Sequence, residues 1–294
     1  MVILSIKKEE SVSNAFKRLF YELLDFAESN LSKIDKFEYS IHEARKSFKR
    51  LRSLLRIYRA AYDEEMFEEL NVLFRDAGRK LSHFRDLDAI SECLGKIELK
   101  ETSNIELIDN LKTQIDGLRF GFDEEQITTE INDVISEIKA ARKLLSDLVL
   151  NENAGTLVKK GIKRIYDNGK TQYYKSIIDT NDILMHEWRK KVKQLWDVVL
   201  IFNSGDKEDS DFAEEVHLLS TLLGDYHDLV LTFDFIAEEK LILDEENFVR
   251  IKKILYKRKE KISKKAFKQA SIIYKIPTDI FSKEFLKKYY LKKM

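Results

Sequence analysis

Proline is almost missing from this chain: one residue in 294, alongside nine glycines. Chain breakers that scarce leave long uninterrupted elements, and helices are the elements that form best without them. Cysteine is reduced to Cys93, which excludes an internal disulfide framework and a zinc site built on several thiolates. One cysteine also fits a reducing, intracellular compartment. No apolar run reaches the roughly 18 residues that a bilayer span needs. The N-terminal MVILSIKKEE is too short, and too acidic at its end, for a secretory signal. A cytoplasmic protein with no membrane anchor is expected.

Charge of one net sign is lacking too, since 52 Lys/Arg balance 52 Asp/Glu. The distribution is uneven, and distribution decides what a surface attracts. Between Arg250 and Met294 there are 16 Lys/Arg against 3 Asp/Glu, a local excess of +13. Acidic residues gather elsewhere, in 63–69 and 206–215. With 44% hydrophobic and 35% charged residues, the composition is that of a folded protein with a real core and a highly charged surface.

Helical periodicity runs through nearly the whole chain. It predicts helices over 11–34, 41–61, 64–97, 103–119, 124–150, 155–178, 182–203, 209–240 and 245–274. Thr180 or Asn181 is placed to cap the helix that carries His186. Pro277 ends the last long helix, and a short docking helix is expected behind it.

The chain repeats itself. His42-Glu-Ala-Arg-Lys-Ser-Phe-Lys-Arg-Leu-Arg52 aligns with His186-Glu-Trp-Arg-Lys-Lys-Val-Lys-Gln-Leu-Trp196, six of eleven positions being identical at an offset of 144. Downstream, Leu81-Ser-His-Phe-Arg-Asp-Leu-Asp88 aligns with Leu223-Gly-Asp-Tyr-His-Asp-Leu-Val230 at an offset of 142. Two matches in one order predict two copies of a unit of about 145 residues. The expected architecture is all-α, and each copy has enough helices for a four-helix bundle, one in 1–150 and the other in 151–294.

On a helical wheel with His42 at zero, Arg45, Lys46, Lys49, Arg52 and Arg56 fall within about 80° of it. Ala44, Phe48, Leu51, Leu54, Leu55 and Tyr58 fall opposite. One face is therefore core and the other is a cationic stripe roughly 21 Å long. Like charges at i,i+3 and i,i+4 repel by a few tenths of a kcal/mol per pair. A stripe of them points to an anion that relieves the repulsion. A run of charge on one helix is more often a solvated face; here it contains arginines and a histidine and occurs twice. The second copy keeps His186, Arg189, Lys190 and Lys193 on one face, but has Trp196 in place of Arg52, Asp197 in place of Ser53 and Leu200 in place of Arg56. Its stripe is shorter.

Two further stripes could join these faces into a basic groove. Lys253, Lys257, Lys261, Lys264 and Lys268 follow one line from Arg250, and Lys160, Lys163 and Arg164 cluster ahead of the second motif. Asp86 and Asp228, at the same point of each unit, are expected to orient an arginine or to raise the pKa of a histidine, with Arg85 and His227 beside them.

The paired His-x-x-Arg-Lys helices and the downstream Arg85-Asp86-Leu87-Asp88 and His227-Asp228-Leu229 elements resemble the CHAD domain, the conserved histidine α-helical domain. Gly161-Ile-Lys-Arg-Ile-Tyr-Asp-Asn-Gly-Lys170 is similar to the helix that opens its second half. The resemblance covers nearly the whole chain. It implies two four-helix bundles about a pseudo-twofold axis and a basic surface that binds inorganic polyphosphate without catalysis. Carried over by position, the contacts would be His42, Arg45, Lys46, Lys49, Arg52, Arg85, His186, Arg189, Lys190, Lys193 and His227, with lysines of the final helix. Association with polyphosphate granules would follow. Some relatives carry a CYTH triphosphatase domain ahead of this unit; the first forty residues hold no Glu-x-Glu-x-Lys strand motif, so that activity is not expected.

Arginine forks and lysine point charges suit closely spaced phosphates. Nucleic acid is the competing ligand, disfavoured by the shortage of aromatics for base stacking on these faces. A metal enzyme is a further alternative, but cations surround His42 and His186, and position i+4 holds Lys46 or Lys190 where a His-Glu-x-x-His motif needs histidine. His83 and His217 have no evident partners. No metal and no cofactor are expected. Affinity should fall with salt and rise as pH drops through the histidine range near 6.5.

Overall fold

The structure, a computed structural model, describes residues 5–7, 10–33, 37–59, 62–98, 104–119, 124–146, 154–202, 207–238 and 241–290. For 37, 38, 83–86, 98, 119, 124, 154, 207–210 and 286–290 it describes the backbone alone. The described residues form eleven helices and no strand: α1 (Val12–Leu31), α2 (Phe37–Ile57), α3 (Glu64–Lys80), α4 (His83–Glu98), α5 (Ile105–Arg119), α6 (Glu124–Ser146), α7 (Ala154–Ile178), α8 (Asp182–Phe202), α9 (Lys207–Ala237), α10 (Glu245–Ile273) and α11 (Thr278–Tyr290).

Short polar side chains start several of them, as helix entry requires. Ser11 accepts from the Asn14 amide, Asp63 from Met66 and Asp244 from Asn247. Of the two candidates ahead of α8, Asn181 is the cap: its Oδ1 accepts from the Leu184 amide at 2.9 Å. The Thr180 hydroxyl turns back to the Ser176 carbonyl.

The predicted 64–97 helix is two helices. At Ser82 both the backbone amide and the hydroxyl donate to the Arg79 carbonyl, at 2.9 and 2.6 Å, which closes α3 and lets α4 begin in a new direction. The tail behind Pro277 is helical, as expected. Phe281 of α11 stacks on Tyr166 of α7 with ring centroids 3.8 Å apart.

Helices pack in a similar order in the two halves: α1 on α2 and α2 on α3, then α7 on α8 and α8 on α9. The halves also meet, α2 against α7 and α8, α4 against α9, and α1 against α7. One apolar cluster runs from Ile6 to Phe285, and a smaller one joins α4 and α5 to α9 and α10. Both draw on residues before and after 150.

The core face predicted for α2 is the core: Ala44, Phe48, Leu51, Leu54, Leu55 and Tyr58 are all buried. Burying a large apolar side chain contributes about 1.5–3 kcal/mol, and a helix that buries this face must turn its cations the other way. Gly161 sets the approach of α7 to α2. A Cβ there would lie 2.0 Å from the Ile57 carbonyl oxygen, so only glycine lets the two backbones meet.

Candidate functional site

The stripe of α2 points at α8. Where the two helices meet, the Ser53 hydroxyl donates to Asp197 Oδ2 at 2.6 Å, in a buried contact. From there, cations of both helices crowd together. The charges of Arg189, Arg45 and Lys193 all act on Lys49, and that of Lys46 acts on Lys193. Desolvation and these neighbours push the Lys49 ammonium down to about 8, from an ordinary value of 10.5. Lys193 is pushed down in the same way, by desolvation first and Arg189 second. Yet both lysines remain exposed to solvent.

Arg189 lies deeper. Burial lowers its pKa, Asp228 opposes the shift, and its Nε is buried with no hydrogen-bond partner among the described residues. The charge of Asp228 acts on Arg189 and Lys193, and Lys96 acts on it in turn, but the pKa of His227 beside it is lowered, not raised as expected, because desolvation and Arg189 dominate there.

The histidines pair across helices. His186 Nδ1 of α8 lies 3.3 Å from His227 Nδ1 of α9, with ring centroids 4.6 Å apart. Both pKa values are depressed. Desolvation leads in each; Lys190 and Arg189 add to it at His186, while Arg189, His186, Lys49 and Lys190 take His227 down to about 3. Both histidines therefore take up a proton at lower pH than an ordinary imidazole, His227 far lower, which shifts the titration expected near 6.5 toward acid.

The glutamate of each motif has a use that the wheel did not reveal. Glu43 bonds Lys46 at 3.1 Å, and Glu187 bonds Lys190 at 2.6 Å, one turn apart in each copy. Lys46 and Lys190 are thus paired within their own helices, while Lys49 and Lys193 face each other's helix.

Arg52 and Arg56 lead away from the centre toward α3. Arg52 Nε and Arg56 Nη2 both donate to Asn71 Oδ1, each at 3.1 Å. Burial, then Arg56, Arg75 and Arg79, lower Arg52 to about 10. On the other side of α2, Arg164 Nη2 donates to the Arg56 carbonyl at 2.6 Å, a cation at a helix C-terminus.

The remaining candidates stand elsewhere. Lys163 bonds Asp279 of α11 at 2.5 Å, and Lys160 is exposed on α7. Lys253, Lys257, Lys261 and Lys264 are exposed along α10, with Lys264 paired to Glu260; none of the charge interactions given above reaches them. The side chains of Arg85, Asp86 and His83 lie outside the described residues, and His217 packs 4.7 Å from Trp196. His42 sits partly exposed one turn ahead of Arg45.

Three participants escaped the sequence reading. Asp197 looked like a mere interruption of the second stripe, whereas it is buried beneath Lys49 and Lys193, its pKa raised by desolvation against the pull of Ser53, Arg50 and those lysines. Arg75 and Arg79 act on Arg52 from α3; their i,i+4 spacing was the available signal. Among the described residues no group of three or more His, Cys, Asp and Glu could hold a metal ion, and no helix is long and apolar enough to cross a membrane.

Fold and site together define an all-α protein in which two similar helices set cations face to face. The chain belongs to the CHAD domain family, whose model matches residues 27–237, from within α1 to the end of α9. The lysine stripe of α10 lies beyond the matched residues. Comparison with curated proteins finds no match.

Proposed function

We propose that this chain binds inorganic polyphosphate, without catalysing its turnover, between α2 and α8. The observation that carries the reading is the group formed by Lys49, Arg189 and Lys193: three cations from two helices, each with its charged form disfavoured. Lys49 and Lys193 are hemmed in by protein atoms and yet keep solvent access. Side chains that line a groove satisfy both conditions. A polyanion laid there would relieve the repulsion among these cations. The CHAD family is associated with polyphosphate binding in general, which favours this ligand among polyanions.

The same reading makes the two halves related bundles about a pseudo-twofold axis through the α2–α8 contact. The packing order common to both halves supports this, as do the meetings of α2 with α8 and α4 with α9, elements that occupy corresponding places in the repeats. The axis would give a linear polyanion like-charged walls on both sides. A cytoplasmic location, including association with polyphosphate granules, belongs to this proposal.

Binding of polyphosphate to the wild type and to an Arg45→Glu/Arg189→Glu variant tests it. The expected outcome is affinity that falls steeply with salt, lost in the variant while the helical circular dichroism is kept. Unchanged affinity in the variant would place the site elsewhere. Competition distinguishes the other polyanion class: single-stranded RNA or duplex DNA that binds as tightly as polyphosphate would make this a nucleic-acid protein. Release of orthophosphate from bound polyphosphate by the purified protein would make it an enzyme.

A further inference from the structure

We infer that the polyanion path is one-sided: it leaves the α2–α8 centre along α2 and onto α3, over Arg52, Arg56, Arg75 and Arg79, making these arginines a subsite that selects long chains. The inference rests on the polyphosphate reading and adds direction and a length preference to it.

The arginines form a connected patch. Asn71 Oδ1 accepts from both Arg52 and Arg56, and Arg56 Nη1 donates to the Arg52 carbonyl at 3.0 Å, which holds two guanidiniums side by side through neutral acceptors. Arg75 and Arg79 bring two more from the end of α3. The opposing carboxylates are few. Asp76 is engaged by Arg75 at 2.8 and 3.0 Å and lies 3.7 Å from Arg79, and Glu68 acts on Arg56 and Arg75. Among the described residues, four cations stand against Asp76, Glu68 and, from below, Asp197, so the patch keeps a positive excess that favours an outside anion.

The patch is continuous with the centre. Asp197, which acts on Lys49 and Lys193, also acts on Arg56, and Arg56 acts on Lys191 of α8. A chain lying on Lys49 therefore meets Arg56 and Arg52 as its next cations along α2.

Among the described residues the second copy offers no counterpart along α8. The α8 residues aligned with Arg52 and Arg56 are Trp196 and Leu200, and both pack against the apolar core. Trp196 further covers itself with the His217 ring. The repeat has thus kept the central cations in both copies and an outward extension in one.

A short polyanion fills the centre alone, whereas a long one also reaches α3. Arg75 and Arg79 are on the surface, so Arg75→Gln/Arg79→Gln removes two cations of the subsite while the Arg52 and Arg56 bonds to Asn71 stay in place; an unchanged melting temperature verifies that the fold is kept. The probes are tripolyphosphate and long-chain polyphosphate. The expected result is long-chain affinity lowered about tenfold and a reduced salt slope, with tripolyphosphate affinity within about twofold of wild type. An equal loss for both probes, or no loss for either, would overturn the inference while wild-type binding still upholds the polyphosphate reading. Wild-type protein that binds neither probe overturns that reading and this inference with it.

Discussion

Ser53 and Asp197 hold the same place in the two repeats, 144 residues apart, and they hydrogen-bond to each other at 2.6 Å. Residues eleven positions after each motif histidine lie only about 20° from it around the helix. The two cationic stripes therefore meet along their midlines, and the contact between them is polar and buried. One copy supplies a hydroxyl and the other a carboxylate, which tempers the positive field of Lys49, Lys193 and Arg50 from below.

Removing that carboxylate should separate stability from binding. Asp197→Asn keeps an acceptor for Ser53 and removes the negative charge, so polyphosphate affinity is expected to rise a few-fold. Asp197→Ala removes that bond and leaves the Ser53 hydroxyl only the Lys49 carbonyl, 3.2 Å away, as its acceptor, at a cost of about 1 kcal/mol. Binding titrations and denaturant melts of both variants provide the check. Weaker binding by Asp197→Asn would mean that the carboxylate organises the cations rather than opposing the ligand.

Lys49 should behave as a residue kept for function at the expense of stability. With a folded value of about 8 and an ordinary value of 10.5, its charged form is disfavoured in the native state. Below pH 8 the ammonium is charged both folded and unfolded, and the whole penalty is present. Between pH 8 and 10.5 the native protein releases a proton that the unfolded chain keeps, so stability rises with pH across that window. Lys49→Met should flatten this rise, increase the melting temperature by roughly a degree or two at neutral pH, and weaken polyphosphate binding. Near pH 8 the wild type should also take up protons as polyphosphate binds, which calorimetry in buffers of different ionisation enthalpy would detect.

The helices, the repeat and the buried face of α2 were legible because each leaves a pattern of period 3.6 or a fixed offset. The α3–α4 break was not, since no glycine or proline marks it and the turn is closed by Ser82 on the Arg79 carbonyl. Within the site, Lys49, Arg189 and Lys193 could be read from the wheel. Asp197 could not, because whether an acid among cations is solvated or buried depends on the helix that faces it. The low titration of the histidines was hidden for the same reason: it arises from burial and from Arg189 and Lys49 lying across the pair.

The histidine pair should leave its mark on acid stability. His227 is held at about 3 and His186 below 6.5, so the unfolded chain binds protons that the native protein refuses as pH falls below 6.5. Stability should therefore decline with pH from 6.5 toward 3, and the decline should be shallower in His227→Gln. Bound polyphosphate favours the imidazolium forms, so affinity should increase through this acidic window rather than at 6.5. A histidine NMR titration with and without polyphosphate would detect both effects; a midpoint for His227 near 6.5 without ligand would contradict the buried pair.

Two glycine substitutions distinguish a packing requirement from mere helix propensity. At Gly161 an added methyl would fall 2.0 Å from the Ile57 carbonyl oxygen, against backbone that has no rotamer to give. Gly161→Ala should therefore push α7 from the end of α2, at a cost of about 3 kcal/mol or more. It should also weaken polyphosphate binding, because the Arg164 bond to the Arg56 carbonyl depends on that approach. At Gly78, inside α3, the same methyl meets nothing within 4 Å. There the gain in helix propensity should act alone, and Gly78→Ala should stabilise by about 0.5–1 kcal/mol without altering affinity. Thermal melts of the two variants, run beside binding titrations, test the pair. A harmless Gly161→Ala would mean that α7 and α2 do not come together backbone to backbone, and that the Arg56 end of the cationic stripe is held by something other than this contact.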